Sequence, residues 1–221
     1  MIAGPTFRRA PQANTTGWLM RYGIILYDGV EPIDVGATFG VLSMAKRRVP
    51  DLTYCGVASE PGPIRCANGL VVEAEYGFAS CPPVETLIVT GGPGWQDAST
   101  DATMLDFLRQ RSADGATKLA SICTGAMILA ASGALDGQMA TTKTAVFDGE
   151  IPPLSLLAQR DTISTTDRRL VESDGIVTSG GVTLGIDAMF KLLQRDYGEA
   201  IARDVARVME YDRALAANGT L

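Results

Sequence analysis

The chain contains no histidine among its 221 residues. A Cys–His or Ser–His pair is therefore excluded, and any base beside a nucleophile must be a carboxylate, a lysine, a tyrosine or water. The four cysteines, Cys55, Cys66, Cys81 and Cys123, form no C-x-x-C pair. Without histidine or paired cysteines a zinc site lacks its usual ligands. Cysteines scattered in this way read as reduced core residues of a cytoplasmic protein rather than as a disulfide scaffold. No apolar run approaches the roughly 20 residues needed to cross a bilayer, so no membrane association is expected. Residues 1–20 also lack the apolar stretch of a secretory signal. There is no Walker sequence and no G-x-G-x-x-G fingerprint, so no nucleotide is expected. No basic block stands out and the net charge is -6, which argues against a nucleic-acid partner held by bulk charge.

What is present is ordinary for a globular protein: 46% hydrophobic and 20% charged residues, in a length that suits one large domain. Residues 1–20 read as a loose arm, 21–217 as a single domain and 218–221 as a tail. A start at Met20 would lose little of the fold. Strands and helices alternate. Strands are expected at 21–27, 52–58, about 70–72 and 85–90, and helices at 31–48, about 101–112 and 153–160. Residues 161–178 read as a hairpin bent at Asp167-Arg168, and Gly180-Gly181 opens a long final helix region to about Ala217. Such alternation implies an α/β fold, a mostly parallel sheet covered by helices on both faces.

The most informative run is Lys118 to Ala130, which reads as a short buried strand, a sharp turn at Cys123 and an apolar helix. A cysteine at such an elbow points its sulfur out of the sheet. The free N–H groups of the helix start favour thiolate, the nucleophilic form. An inert buried thiol is the alternative, and it is the reading for the other three cysteines. Ligands of open α/β sheets bind at the carboxyl ends of strands. Two further features fall there: Asp28, Glu31 and Asp34 after the first strand, and Gly91-Gly92-Pro93-Gly94 after the 85–90 strand. Gly92 N–H and Thr124 N–H together form an oxyanion-type pocket beside the sulfur on one reading; on the other the glycines only make a tight turn. Asp34, between Ile33 and Val35, is either a helix-start carboxylate or a desolvated acid/base with a raised pKa. Glu31 fits the helix-start role better. Lys143 reads as a solvated lysine, and Tyr211-Asp212 as a helix-end pair.

With these residues in hand, the chain resembles the ThiJ/PfpI superfamily, and within it the isonitrile hydratase-like branch. The resemblance spans about residues 21–212. It rests on ordered strings: Leu26-Tyr27-Asp28-Gly29 with Ile33-Asp34, Val89 to Gly94, and Ser121 to Ala126. These are followed by Leu135-x-Gly137-x-x-Ala140-Thr141-Thr142, Asp174 to Thr183 with Gly185-Ile186-Asp187, and Glu210-Tyr211-Asp212. The resemblance implies a flavodoxin-like, class I glutamine amidotransferase-like fold, an elbow nucleophile at Cys123, an acidic partner at Asp34 and a site role for Thr124. It also implies a homodimer, a small-molecule substrate and no metal or organic cofactor. The reaction implied is hydration of an isonitrile to an N-substituted formamide. Either Cys123 attacks while Asp34 supplies a proton, or water attacks with Asp34 as base and Cys123 in support. At Lys143 the chain departs from the branch, which commonly carries histidine after Ala-Thr-Thr. A lysine is a fixed point charge there and would favour anions or carbonyl substrates, which makes it a substrate-binding candidate with Gly92.

Two other function classes follow from the same resemblance. One is a different cysteine enzyme of the superfamily, an amidase or a glyoxalase-like hydratase. The other is a ligand or redox sensor without turnover, since related modules precede AraC-type DNA-binding domains. The chain ends soon after the expected fold, which leaves no room for such a second domain.

Overall fold

The computed structural model describes residues 20–220. Apart from Met20, which opens the first strand, the arm expected over residues 1–20 lies outside the described residues. Eleven strands are described: β1 (Met20–Ile25), β2 (Tyr54–Ala58), β3 (Gly62–Arg65), β4 (Val71–Ala74), β5 (Tyr76–Gly77), β6 (Val84–Val89), β7 (Lys118–Ser121), β8 (Met139–Ala140), β9 (Ser164–Thr165), β10 (Leu170–Ser173) and β11 (Ile176–Ser179). The helices are α1 (Pro32–Lys46), α2 (Trp95–Ala98), α3 (Ala102–Ala113), α4 (Gly125–Ser132), α5 (Pro153–Leu157), α6 (Leu184–Tyr197), α7 (Glu199–Val208) and α8 (Asp212–Asn218).

Seven strands form the main sheet in the order β10-β11-β7-β6-β1-β2-β5. Every pairing is parallel except β10 with β11. The central strands are apolar on both faces because helices cover both: Tyr22, Ile24 and Ile25 of β1 and Leu87, Ile88 and Val89 of β6 are buried. Helices α1, α6 and α7 pack together, as do α2, α3, α4 and α5 around α4. Helix α4 is apolar all round, and nearly all of its side chains are buried. No helix among the described residues is long and apolar enough to cross a membrane.

The α/β alternation expected from the sequence is present, with three local differences. The hairpin of 161–178 bends at Asp174-Gly175, not at Asp167-Arg168: φ is 46° and 79° there. Asp-Gly takes left-handed geometry at both positions, which matches the twist of paired strands. Upstream, β9 leaves the hairpin and pairs in parallel with β8. The final helix region is three helices, not one, broken at Gly198 (φ 86°) and at Glu210 (φ 55°). Asn218 is part of α8 rather than of a tail. Its side-chain amide donates to Asp187 Oδ2 at 2.7 Å, and Tyr211 O–H reaches Asp187 Oδ1 at 3.4 Å. Tyr211 is therefore more than a helix-end residue: its ring also stacks on Phe190.

Asp187 is buried in α6, and its bond to Asn218 ties α8 to the core beside the buried Leu215. Asn218→Ala removes the shorter bond and leaves a buried carboxylate oxygen bare. The expected cost is about 1–3 kcal/mol in urea unfolding. An unchanged midpoint would show that α8 is held by its apolar contacts alone.

Candidate active site

The first described strand, β1, lies inside the sheet, and later strands extend to either side of it. The strand order therefore reverses between β1 and β6, and a crevice opens at their carboxyl ends. Two loops meet over it. Glu31 N–H donates to Gly91 C=O at 2.8 Å, and Gly94 N–H donates to Gly29 C=O at 3.1 Å. Glycine is required at the contact: a Cβ on Gly92 would stand 2.3 Å from Glu31 N, and one on Gly91 would stand 2.5 Å from Thr124 N. A third loop, after β7, the strand next to β6, carries Cys123.

Cys123 lies between β7 and α4 with φ 53°, the strand–turn–helix geometry expected of an elbow. A left-handed φ is unfavourable for a residue with a Cβ. It is held by Cys123 N–H donating to Gly180 C=O at 3.2 Å and by Thr142 O–H donating to Cys123 C=O at 2.7 Å. Val182 on the facing loop is also left-handed, at φ 59°, a conformation that is rare for a β-branched residue. Its backbone N–H, like that of Thr124, is directed at the Cys123 sulfur. The electropositive helix start expected from the sequence is thus present, but it does not win. Only 3% of Cys123 is accessible, and burial, followed by the charge of Asp34, pushes the thiol up to about 11. The resting sulfur is a thiol rather than the thiolate expected at a helix start.

Asp34, in the first turn of α1, is fully buried. Its Oδ2 accepts from Gly91 N–H at 2.8 Å, while Oδ1 has no partner among the described residues. Gly91 separates the two groups: it holds Asp34 through its N–H, and a Cβ built on it would stand 2.8 Å from Cys123 Cβ. Desolvation is the main cause that raises the Asp34 carboxyl from 3.8 to about 7. The Gly91 bond and the charge of Lys143 pull the other way, and Glu31 adds to the rise.

The glycine amides do not serve the oxyanion role read from the sequence. Gly91 N–H is taken by Asp34, and Gly92 N–H donates to Thr124 Oγ1 at 2.9 Å. The backbone donors that face the sulfur come from Thr124 and Val182 instead. Tyr27 went unremarked in the sequence because an aromatic at the end of a buried strand reads as core. Its O–H donates to Thr90 C=O at 3.0 Å. Its pKa is pushed up by burial and then by the nearby Asp34 and Cys123, and the Thr124 hydroxyl lies within hydrogen-bonding reach. Val182 was likewise missed, although the glycine pair before it marked a turn.

Cys123 and Thr124 open on a cavity of about 880 Å³. Helix α2, which no sequence signal indicated, brings Trp95 to its wall, and the segment after β8 brings Lys143, Phe147 and Ile151. Lys143 is therefore a cavity residue rather than a solvated one. Glu31 starts α1, as expected, and also lines the cavity. Phe147 is 84% exposed at the rim. No cluster of three His, Cys, Asp or Glu side chains among the described residues is arranged to hold a metal ion.

An acid raised by the fold is kept protonated by it. Its stabilising contribution is complete below the unfolded value near 4 and is lost as pH rises to about 7. Wild-type unfolding free energy is expected to fall across that window by up to roughly 4 kcal/mol. Asp34→Asn is expected to flatten this dependence and to be the more stable protein near pH 8. Urea titrations of both proteins near pH 5 and pH 8 check this, and parallel pH dependences would mean that Asp34 holds no buried proton.

A DJ-1/PfpI family model matches residues 20–195. Over 192 residues the chain is 31% identical to the isonitrile hydratase of Pseudomonas putida, covering 87% of this chain and 78% of the relative. It is also 31% identical over 170 residues to the HTH-type transcriptional regulator CdhR of Pseudomonas aeruginosa, covering 75% of this chain but only 47% of the regulator. Among solved structures, a THiJ/PfpI family protein from Pseudomonas syringae superposes with a TM-score of 0.74 at 26% identity, covering 95% of this chain and 82% of that one. The family match takes in the strands, the glycine contact and the cysteine turn that build the site: the chain belongs to the DJ-1/PfpI family.

Proposed function

We propose that the protein is a cysteine-dependent hydratase of small molecules, acting on isonitriles, with Cys123 as nucleophile and Asp34 as acid and base. One observation carries the reading: a fully buried carboxyl with one oxygen on Gly91 N–H and the other bare, set across that glycine from a cysteine that opens on a large cavity. The likeness to an isonitrile hydratase supports the choice of substrate class.

At neutral pH a thiol near 11 holds its proton, and a carboxyl near 7 holds its own in about half of the molecules. Protonated Asp34 donates to the terminal isonitrile carbon, which makes that carbon electrophilic. The Cys123 sulfur bonds to it, and the thiol proton passes to the Asp34 carboxylate. The product of this half is a thioimidate, R–N=CH–S–Cys. Water then adds to the same carbon, the C–S bond breaks and the sulfur regains a proton. The released molecule is R–NH–CHO. One water is consumed and nothing is oxidised or reduced. The Thr124 and Val182 amides face the sulfur, where negative charge develops as its proton leaves. Tyr27, within the same cluster, holds its hydroxyl on Thr90 C=O beside Thr124. The site is expected to serve a homodimer in the cytoplasm, with no cofactor.

A second reading, a ligand sensor without turnover, is favoured by the likeness to a transcriptional regulator; the raised thiol pKa argues against a redox sensor, which depends on a low-pKa cysteine. A panel of isonitriles, amides and 2-oxoaldehydes separates it from the first reading, and from an amidase or glyoxalase-like enzyme.

Formamide production, followed by NMR, is expected to fall on the order of 10³-fold or more in Cys123→Ala and about 10²–10⁴-fold in Asp34→Asn. Turnover that persists in both variants eliminates the proposed chemistry. Because Asp34 acts first as an acid, kcat/KM is expected to decline as pH rises through about 7. A profile that instead climbs through that value would assign Asp34 the role of base toward water.

A further inference from the structure

Lys143 is the only cation among the described residues lining the cavity that holds Cys123. It lies between β8 and α5, with its backbone and its stem held in place. Its C=O accepts from Leu154 N–H at 3.1 Å. Its stem lies flat on Gly181, where a Cβ would stand 2.8 Å from Lys143 Cγ and 3.2 Å from Cδ. Glycine at 181 is thus what makes room for the side chain, one residue before the Val182 amide that faces the sulfur. The residue as a whole is half-buried, and its ammonium forms neither an ion pair nor a hydrogen bond with a described side chain.

A charge drawn partly out of water and left without a partner gains from any counter-charge the cavity receives. The other charged groups lining the cavity are Glu31 and Glu150. Glu150 is exposed and accepts from Phe147 N–H at 3.1 Å, at the rim. Glu31 belongs with Asp34, whose pKa it raises. The charge of Lys143 acts on both reacting groups, lowering the pKa of Cys123 and of Asp34. The remaining wall is largely apolar, with Trp95, Ile151 and Leu156 offering no charge to an anion.

We propose that Lys143 is a specificity determinant that binds a carboxylate on the substrate, so that the cavity takes small carboxylate-bearing electrophiles with their reactive carbon at Cys123. Under the hydratase reading, on which the choice of substrate rests, these are isonitriles that carry a carboxylate rather than neutral alkyl isonitriles.

Alkylation of Cys123 tests this without requiring turnover. Iodoacetate and iodoacetamide react identically, the sulfur displacing iodide and forming an S–CH2 bond, but only the first is an anion. The ratio of their rates is read by mass spectrometry in wild type, Lys143→Gln and Lys143→Arg. The iodoacetate-to-iodoacetamide ratio is expected to drop about tenfold in Lys143→Gln, the equivalent of one charge contact, to survive in Lys143→Arg, and to shrink with added salt. A lysine that only tunes the thiol pKa changes both rates together, so an unchanged ratio overturns the proposal. Should the sulfur react too slowly with either reagent, calorimetric affinities of 3-methylbutanoate and 3-methylbutanamide give the same comparison, and equal affinities overturn it. Comparing isocyanoacetate with its methyl ester then separates the two readings. Turnover without preference for the acid defeats the role of Lys143 alone, whereas a lysine-dependent alkylation ratio with no turnover of either compound defeats the hydratase alone.

Discussion

The contact between Gly91 N–H and the Asp34 carboxyl holds the site in register. It joins the first turn of α1 to the loop after β6, and through Gly91 to the turn that carries Cys123. A buried carboxyl with a single donor is unfavourable when charged, because one amide does not replace the water it has lost. The fold therefore supplies a group that keeps its proton at a pH where an ordinary aspartate has released it. Its second oxygen is buried and has no partner among the described residues.

Strain is concentrated across from that carboxyl. Cys123 and Val182 both carry side chains on left-handed backbone, and the Val182 and Thr124 amides are directed at the Cys123 sulfur. Such conformations persist where the surroundings over-determine them. Here the constraint comes from Gly180 and Thr142, which bind the Cys123 backbone on its two sides. The position follows from topology as well: the strand order reverses between β1 and β6, and β7 places the cysteine turn beside that crevice.

Helix-start amides and Lys143 lower the thiol pKa, whereas burial and Asp34 raise it, and the second pair prevails. A sulfur that keeps its proton until substrate arrives is protected from oxidants and alkylating agents, which act on thiolate. Under the proposed hydration, the chemistry depends on proton exchange rather than on a standing charge. A carboxyl near 7 and a thiol near 11 are ordered for this, with the carboxyl the stronger acid.

Local pattern was enough to place the parallel strands, α1, α3 and α4, the glycine run and the cysteine turn, because each depends on hydrophobic runs and turn residues within a few positions. The hairpin bend and the breaks in the last helix region were misplaced where glycine and its neighbours adopt left-handed geometry, a choice that paired strands and packed helices make. Cys123 and Asp34 stood out as candidates from their places at the turn and the helix start, and the family resemblance added Thr124. Their protonation was not legible in the sequence: a pKa depends on how much water the whole fold removes and on which charges it gathers, and those come from residues far apart in the chain. For the same reason Tyr27 read as core, Lys143 read as solvated and Gly92 read as an oxyanion donor. Sequence settled which chemical groups were available and which, with histidine missing, were not. Only the tertiary structure decided which donors were already taken, which charges were left unpaired and which atoms faced the cavity, because hydrogen bonding and desolvation are decided by contacts across the fold.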